Sequence, residues 1–154
     1  MSDRRRGPVW TSVDPAYQKL RSGWRGFDPI GREIASNALD ERACHGADVT
    51  FAYARGKIVV ETIGRVPSMR DLAVLGSGDK TDGTAIGRNA EGWLLASLVA
   101  AREGRVIKFH VGDQTWTPFI GEHPNLGGQV LGFKVRKRRG DPIKGVRTEI
   151  EATR

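Results

Sequence analysis

The stretch that most restricts the fold spans residues 76–101, GSGDKTDGTAIGRNAEGWLLASLVAA. Its first half is glycine-rich and polar with no hydrophobic periodicity, which reads as a loop. From about Asn89 the composition turns helical, and Trp93, Leu94, Leu95, Leu98 and Val99 leave little polar surface. Such a helix has to be buried, and the strand-rich remainder of the chain supplies a sheet to bury it against. Gly104 stands where glycine ends a helix. A glycine loop entering a helix N-terminus is also a device for holding an anion. The first-turn N–H groups lack intrahelical partners, and the helix dipole adds partial positive charge. Lys80 and Arg88 bring formal charge to the same segment. The plainer alternative is a surface loop ahead of a buried helix, because GSGDKT lacks the G-x-x-x-x-G-K-[ST] spacing of a phosphate loop.

Residue alternation predicts six strands, at 48–53, 57–62, 105–112, 115–120, 129–137 and 145–152. The first two are joined by Ala54-Arg55-Gly56, a hairpin signal. The run 57–62 is apolar on both faces and reads as an interior strand. Pro118 marks 115–120 as an edge strand. A helix is expected from Pro29 to His45, with Asp28 as N-cap and Pro29 in its first turn. A second, short helix is expected at 68–75 and a third from Asn89 to Arg102. Strands mostly in hairpins with few helices predict an α+β fold: a two-layer α/β sandwich, its sheet mixed but mostly antiparallel, with helices on one face. Residues 1–27 read as a basic N-terminal arm whose Trp10, Tyr17 and Trp24 dock onto the body. Residues 28–154 form the domain.

The 154 residues suffice for one domain with a real core. A formal net charge of +7 suits an anionic partner. That charge gathers at Arg4, Arg5 and Arg6, and in KVRKRR, which holds Lys134, Arg136, Lys137, Arg138 and Arg139. Both clusters suit either a solvated face or nucleic-acid phosphates. The single cysteine, Cys44, excludes an intramolecular disulfide and fits a reducing compartment. No apolar run is long enough to span a bilayer and the N-terminus lacks a signal-peptide core, so a cytoplasmic location is expected. His45, His110 and His123 have no metal-ligand spacing.

Chemistry enters with the helix 29–45. Ile30, Ile34 and Ala38 make its apolar stripe, while Glu33, Asn37 and Asp40 share another face. A carboxylate in that place can take a proton from an attacking water. An amide oxygen one turn away is a hard, neutral ligand for Mg2+, which in turn neutralises phosphate oxygens. The alternative is an amphipathic helix with an ordinary wet side.

REIASNALDE (32–41) resembles the N-box of the GHKL ATPase superfamily, and IGRNAEG (86–92) is similar to the glycine box that closes its ATP lid. The order and spacing of these motifs around a hairpin, a short helix and a glycine lid extend the resemblance over residues 28–152. WTPFI (116–120) is similar to small stand-alone members, including phage-encoded ones. The superfamily holds ATP-binding domains of type II topoisomerases, chaperones, histidine kinases and mismatch-repair proteins, which share the Bergerat α/β sandwich. The resemblance implies binding of ATP and Mg2+, with Glu33 as general base, Asn37 as the Mg2+ ligand and Asp40 in the nucleotide site. It places Gly76, Ser77 and Lys80 in the lid, and Gly87, Arg88, Asn89, Ala90 and Gly92 at the phosphates, with Ala90 where the family has a glycine. The family's D-x-G-x-G, whose Asp binds the adenine amino group, corresponds to TIGRV (62–66). Gly64 matches its first glycine, Thr62 stands in the Asp position and Val66 replaces the second glycine; Glu61, one residue earlier, is the other candidate for the adenine contact. Three functions remain open. They are slow Mg2+-dependent ATP hydrolysis on behalf of a protein client, a catalytically degenerate interaction module that keeps the fold, and a basic nucleic-acid-binding protein. A homodimer is compatible with each.

Overall fold

The computed structural model describes residues 7–11, 27–67 and 85–152. In chain order these form β1 (Val9–Trp10), α1 (Phe27–His45), β2 (Asp48–Ala54), β3 (Lys57–Ile63), α2 (Ala85–Glu103), β4 (Ile107–Val111), β5 (Gln114–Glu122), β6 (Gln129–Lys137) and β7 (Gly145–Glu151). The strands make one sheet in the order β1-β6-β5-β4-β7-β3-β2. Every neighbouring pair is antiparallel, so the mixed component expected of the sheet does not occur among the described strands. The fold is α+β. No helix among the described residues is long and apolar enough to cross a membrane.

Local chemistry accounts for most boundaries. α1 opens at Phe27, so Asp28 lies inside the first turn instead of capping it. Pro29 is tolerated there because a first-turn N–H has no helical acceptor to lose. Gly46, at φ 67°, ends the helix, and its N–H donates to the Arg42 carbonyl at 3.0 Å. Arg55 and Gly56 both have positive φ, 55° and 74°, which makes the β2–β3 link a two-residue turn whose twist matches its strands. β3 lies between β7 and β2, as its two-sided apolar pattern requires. Gly104 (φ 66°) ends α2 while Arg105 N–H bonds back to the Ala100 carbonyl at 2.9 Å.

Three further expectations are corrected. β5 is not an edge strand; it lies between β6 and β4. The β4–β5 register stops at Phe109↔Trp116, so on that side Pro118 has no ladder bond to forgo. α2 starts at Ala85, four residues before Asn89. Its unpaired first-turn N–H groups therefore belong to residues 85–88. β1 is a seventh strand, built from the segment read as an arm: Val9 and Trp10 pair with Phe133 and Gly132. The helix expected at 68–75 lies outside the described residues.

The core joins Ile30, Ile34 and Ala38 of α1 to Trp93, Leu94, Leu98 and Val99 of α2, and both to Val60, Ile107, Phe109, Trp116, Leu131, Phe133 and Ile150 of the sheet. Trp93 is its hub. Its ring lies 4.1 Å from Phe109, 5.5 Å from Phe133 in a stacked pose and 6.0 Å from Trp116 edge-on. Each fully buried Leu, Val or Ile contributes about 1.5–3 kcal/mol of hydrophobic stabilisation. That burial, more than helix propensity, fixes α2 in place.

Candidate functional site

Glu33, Asn37 and Asp40 lie on α1 beside the buried stripe and are half-buried. Among the described residues none of the three side chains makes a hydrogen bond or ion pair with the protein. One turn beyond Asn37, Glu41 is engaged. Arg65 Nε donates to Glu41 Oε2 at 3.1 Å, and the Arg65 terminal nitrogen donates to the other carboxylate oxygen. This two-point clasp joins the C-terminal half of α1 to the segment leaving β3. Residues i and i+4 of a helix are neighbours on one face, so the clasp brings the β3 exit beside the turn that carries Asn37.

On β3 the two candidates for adenine recognition part company. Thr62 shares a sheet face with buried Val60, and its cross-strand partners Val49 and Val146 both pack on the core. It therefore points to the core face of the sheet. Glu61 points to the opposite face, where it sits directly across from Arg147 and accepts a 2.9 Å hydrogen bond from Arg147 Nε. Glu61 is thus spent on a cross-strand ion pair and turned away from α1, and of the two only Thr62 is brought to the Asn37 side.

The TIGRV turn is held by its backbone. Gly64 N–H donates to the Lys144 carbonyl at 2.9 Å, and a Cβ on Gly64 would come within 3.3 Å of Ala47 Cβ. Val66 is 54% exposed and overhangs Gly112, where an added Cβ would meet its Cγ1 at 3.0 Å. On the far side of the same turn β7 approaches β3 so closely that a Cβ on Gly145 would overlap the Thr62 carbonyl oxygen. Gly76, Ser77 and Lys80 lie outside the described residues. Gly87, Arg88, Asn89, Ala90 and Gly92 all fall within the first two or so turns of α2, so the segment IGRNAEG is helical.

The clasp residues Glu41 and Arg65 carried no assigned role in the sequence. They lie 24 positions apart, and only opposite charge in two neighbouring motifs hinted at the contact. A cleft of about 310 Å3 opens elsewhere, between the end of α2 and the place where β4 and β5 separate; Ala100, Arg105, Ile107 and Pro118 are among its walls. It is apolar and none of the candidate residues lines it. Among the described residues no group of three or more His, Cys, Asp and Glu is arranged to hold a metal. His110 contacts Thr115 Oγ1 through Nδ1 at 3.1 Å and Glu149 Oε1 through Nε2 at 3.4 Å. Burial holds its pKa below the ordinary 6.5 against the opposing pull of Glu149. It belongs to the face away from α1. No protein-family model matches the chain, and no curated protein sequence matches it.

Proposed function

We propose that this chain is an ATP-binding domain of GHKL type, its two described helices laid on one face of the sheet as a two-layer α/β sandwich. In this reading it hydrolyses ATP slowly with Mg2+ and sets the state of a protein partner. The observation that carries the proposal is the Glu41–Arg65 clasp, which supports a shared neighbourhood for Asn37 and for Thr62 at the end of β3.

The residue chemistry fits the group. Asn37 Oδ1 is a neutral oxygen that can hold Mg2+, while phosphates and water complete the shell without a protein-only metal cluster. The metal supplies charge neutralisation at the phosphate oxygens. The Glu33 carboxylate, one helical turn earlier, takes the proton of the attacking water. Thr62 Oγ1 offers adenine a neutral hydrogen bond in place of a charged one, which lowers the expected affinity. The unpaired N–H groups of residues 85–88 face phosphate at the N-terminus of α2. A second reading, nucleotide binding without turnover, is favoured by Val66, which occupies the position of the motif's second glycine.

Calorimetric titration with Mg2+-ATP tests the proposal, run on the native chain beside Glu33→Ala and Asn37→Ala. Saturable binding that survives loss of Glu33 and weakens without Asn37 is expected, with turnover lost in both variants. Binding with no turnover even in the native chain selects the degenerate module. If the folded protein shows no binding up to millimolar ATP, the nucleotide reading fails.

A further inference from the structure

The face of the sheet turned away from the core is not uniform, and its β1–β6–β5 third has a construction of its own. Register places Trp10 opposite Gly132, Phe119 opposite Gly132 on the other side, Thr117 opposite Lys134 and Thr115 opposite Arg136. All of these side chains emerge on this outward face. Trp10 and Phe119 meet edge-on at 5.2 Å, with the His123 ring 5.6 Å from Trp10. The rings lie against the sheet because two outward positions carry no side chain. A Cβ on Gly132 would come within 2.9 Å of Phe119 and 3.2 Å of Trp10; one on Gly121 would come within 2.8 Å and 3.2 Å of the same rings. Lys134 Nζ stands 5.5 Å from the Phe119 ring centroid, and Arg136 is exposed one pleat further along.

The outward positions of these three strands, residues 10, 115, 117, 119, 121, 130, 132, 134 and 136, include no acid. Elsewhere on this face Arg147 pairs with Glu61 and Lys57 with Glu149, and Lys108 lies across from Glu149. From Gly132 to Arg136 the strand carries ring platform, cation, cation in a line of about 13 Å. Aromatic rings held against a sheet beside cations that have no ion pair among the described residues suit a single-stranded polyanion whose bases are free to stack, and not a duplex whose base faces are already stacked.

We propose that this surface binds single-stranded nucleic acid, with bases on Trp10 and Phe119 and backbone phosphates on Lys134 and Arg136. A purely structural role for Trp10, buttressing the two-residue β1, accounts for the glycines but leaves the acid-free cation pair beside the rings unexplained. The site lies on the opposite face from Asn37 and Thr62, so this proposal and the nucleotide reading stand or fall separately.

The test is binding of a labelled oligo(dT) to the full chain over a range of salt, with a duplex of equal length alongside. Lys134 and Arg136 are exposed, so the double variant K134Q/R136Q is expected to fold. Losing two phosphate contacts should lower the slope of log affinity against log salt by about 1.4. Trp10→Ala should weaken binding about tenfold, and Trp10→Phe should restore most of it, because a ring remains to stack on. If Trp10→Ala detaches β1, the double variant still decides the matter. The proposal is overturned by absence of binding, by duplex binding as tight as single-strand binding, or by a salt slope that K134Q/R136Q leaves unchanged. The last result would assign the phosphates to other cations, such as Arg4, Arg5 and Arg6.

Discussion

The two faces of the sheet obey opposite rules. On the core face, Ile107, Phe109, Trp116, Phe133 and Ile150 are buried in the core cluster, and a polar side chain is the exception. Thr62 is such an exception, three residues before the Arg65 that clasps Glu41. On the outward face, charged residues are the norm and mostly satisfy one another across strands. There the exceptions are the rings of Trp10 and Phe119 and the cations next to them. In each case the residue that breaks its own face's rule is the informative one. Polarity matters where packing dominates, and half-buried aromatic surface matters where charge dominates.

The comparison is most easily broken at the core. Trp93→Ala removes the hub ring and leaves a cavity among Phe109, Phe133 and Trp116; the loss should be about 3–5 kcal/mol in urea denaturation. A loss under about 1 kcal/mol would mean that the core face is not the tightly packed layer described. Gly145→Ala tests the closeness of β7 and β3 and should cost about 1–3 kcal/mol. It should also weaken Mg2+-ATP binding more than its stability loss explains, since the displaced group is the Thr62 backbone. Glu61 and Thr62 sharpen the contrast directly. Glu61→Gln breaks a partly exposed ion pair, should cost under about 1 kcal/mol and should leave nucleotide binding intact. Thr62→Val should weaken nucleotide binding while leaving the melting temperature nearly unchanged. Reversal of that pair of results would place the adenine contact on the wrong face.

The smallest effect concerns His110. Its folded-state pKa lies below 6.5, so between those values the unfolded chain binds more protons than the folded one. Stability is therefore undiminished above about pH 6.5 and declines as pH falls below it. Melting curves across that window should show the decline, and His110→Gln should flatten it.

Much of this fold was written locally. The stripe Ile30, Ile34, Ala38, the hairpin turn at Arg55-Gly56 and the cap at Gly104 each announce themselves within a few residues. What escaped was non-local. β1 is two residues long, too short for any periodicity, and is a strand only because β6 accepts it. Pro118 looked like an edge signal because the early end of the β4 ladder cannot be read from residues 115–120. The fate of Glu61 depends on Arg147, 86 positions away. That Glu33, Asn37 and Asp40 share a helix face could be read from their spacing, but the clasp that ties α1 to the segment after β3 could not.

The strand order has one more consequence. β7 is the last strand described, yet it sits in the middle of the sheet, between β4 and β3. During synthesis the β2–β3 hairpin and the β4–β5–β6 meander emerge first, each with an open edge waiting for a strand not yet made. The two halves can be stitched together only when residues 145–151 leave the ribosome. Folding of the sheet is thus held back until β7 has been made, and the interval with two unpaired edges is when this chain is most exposed to mispairing with its neighbours.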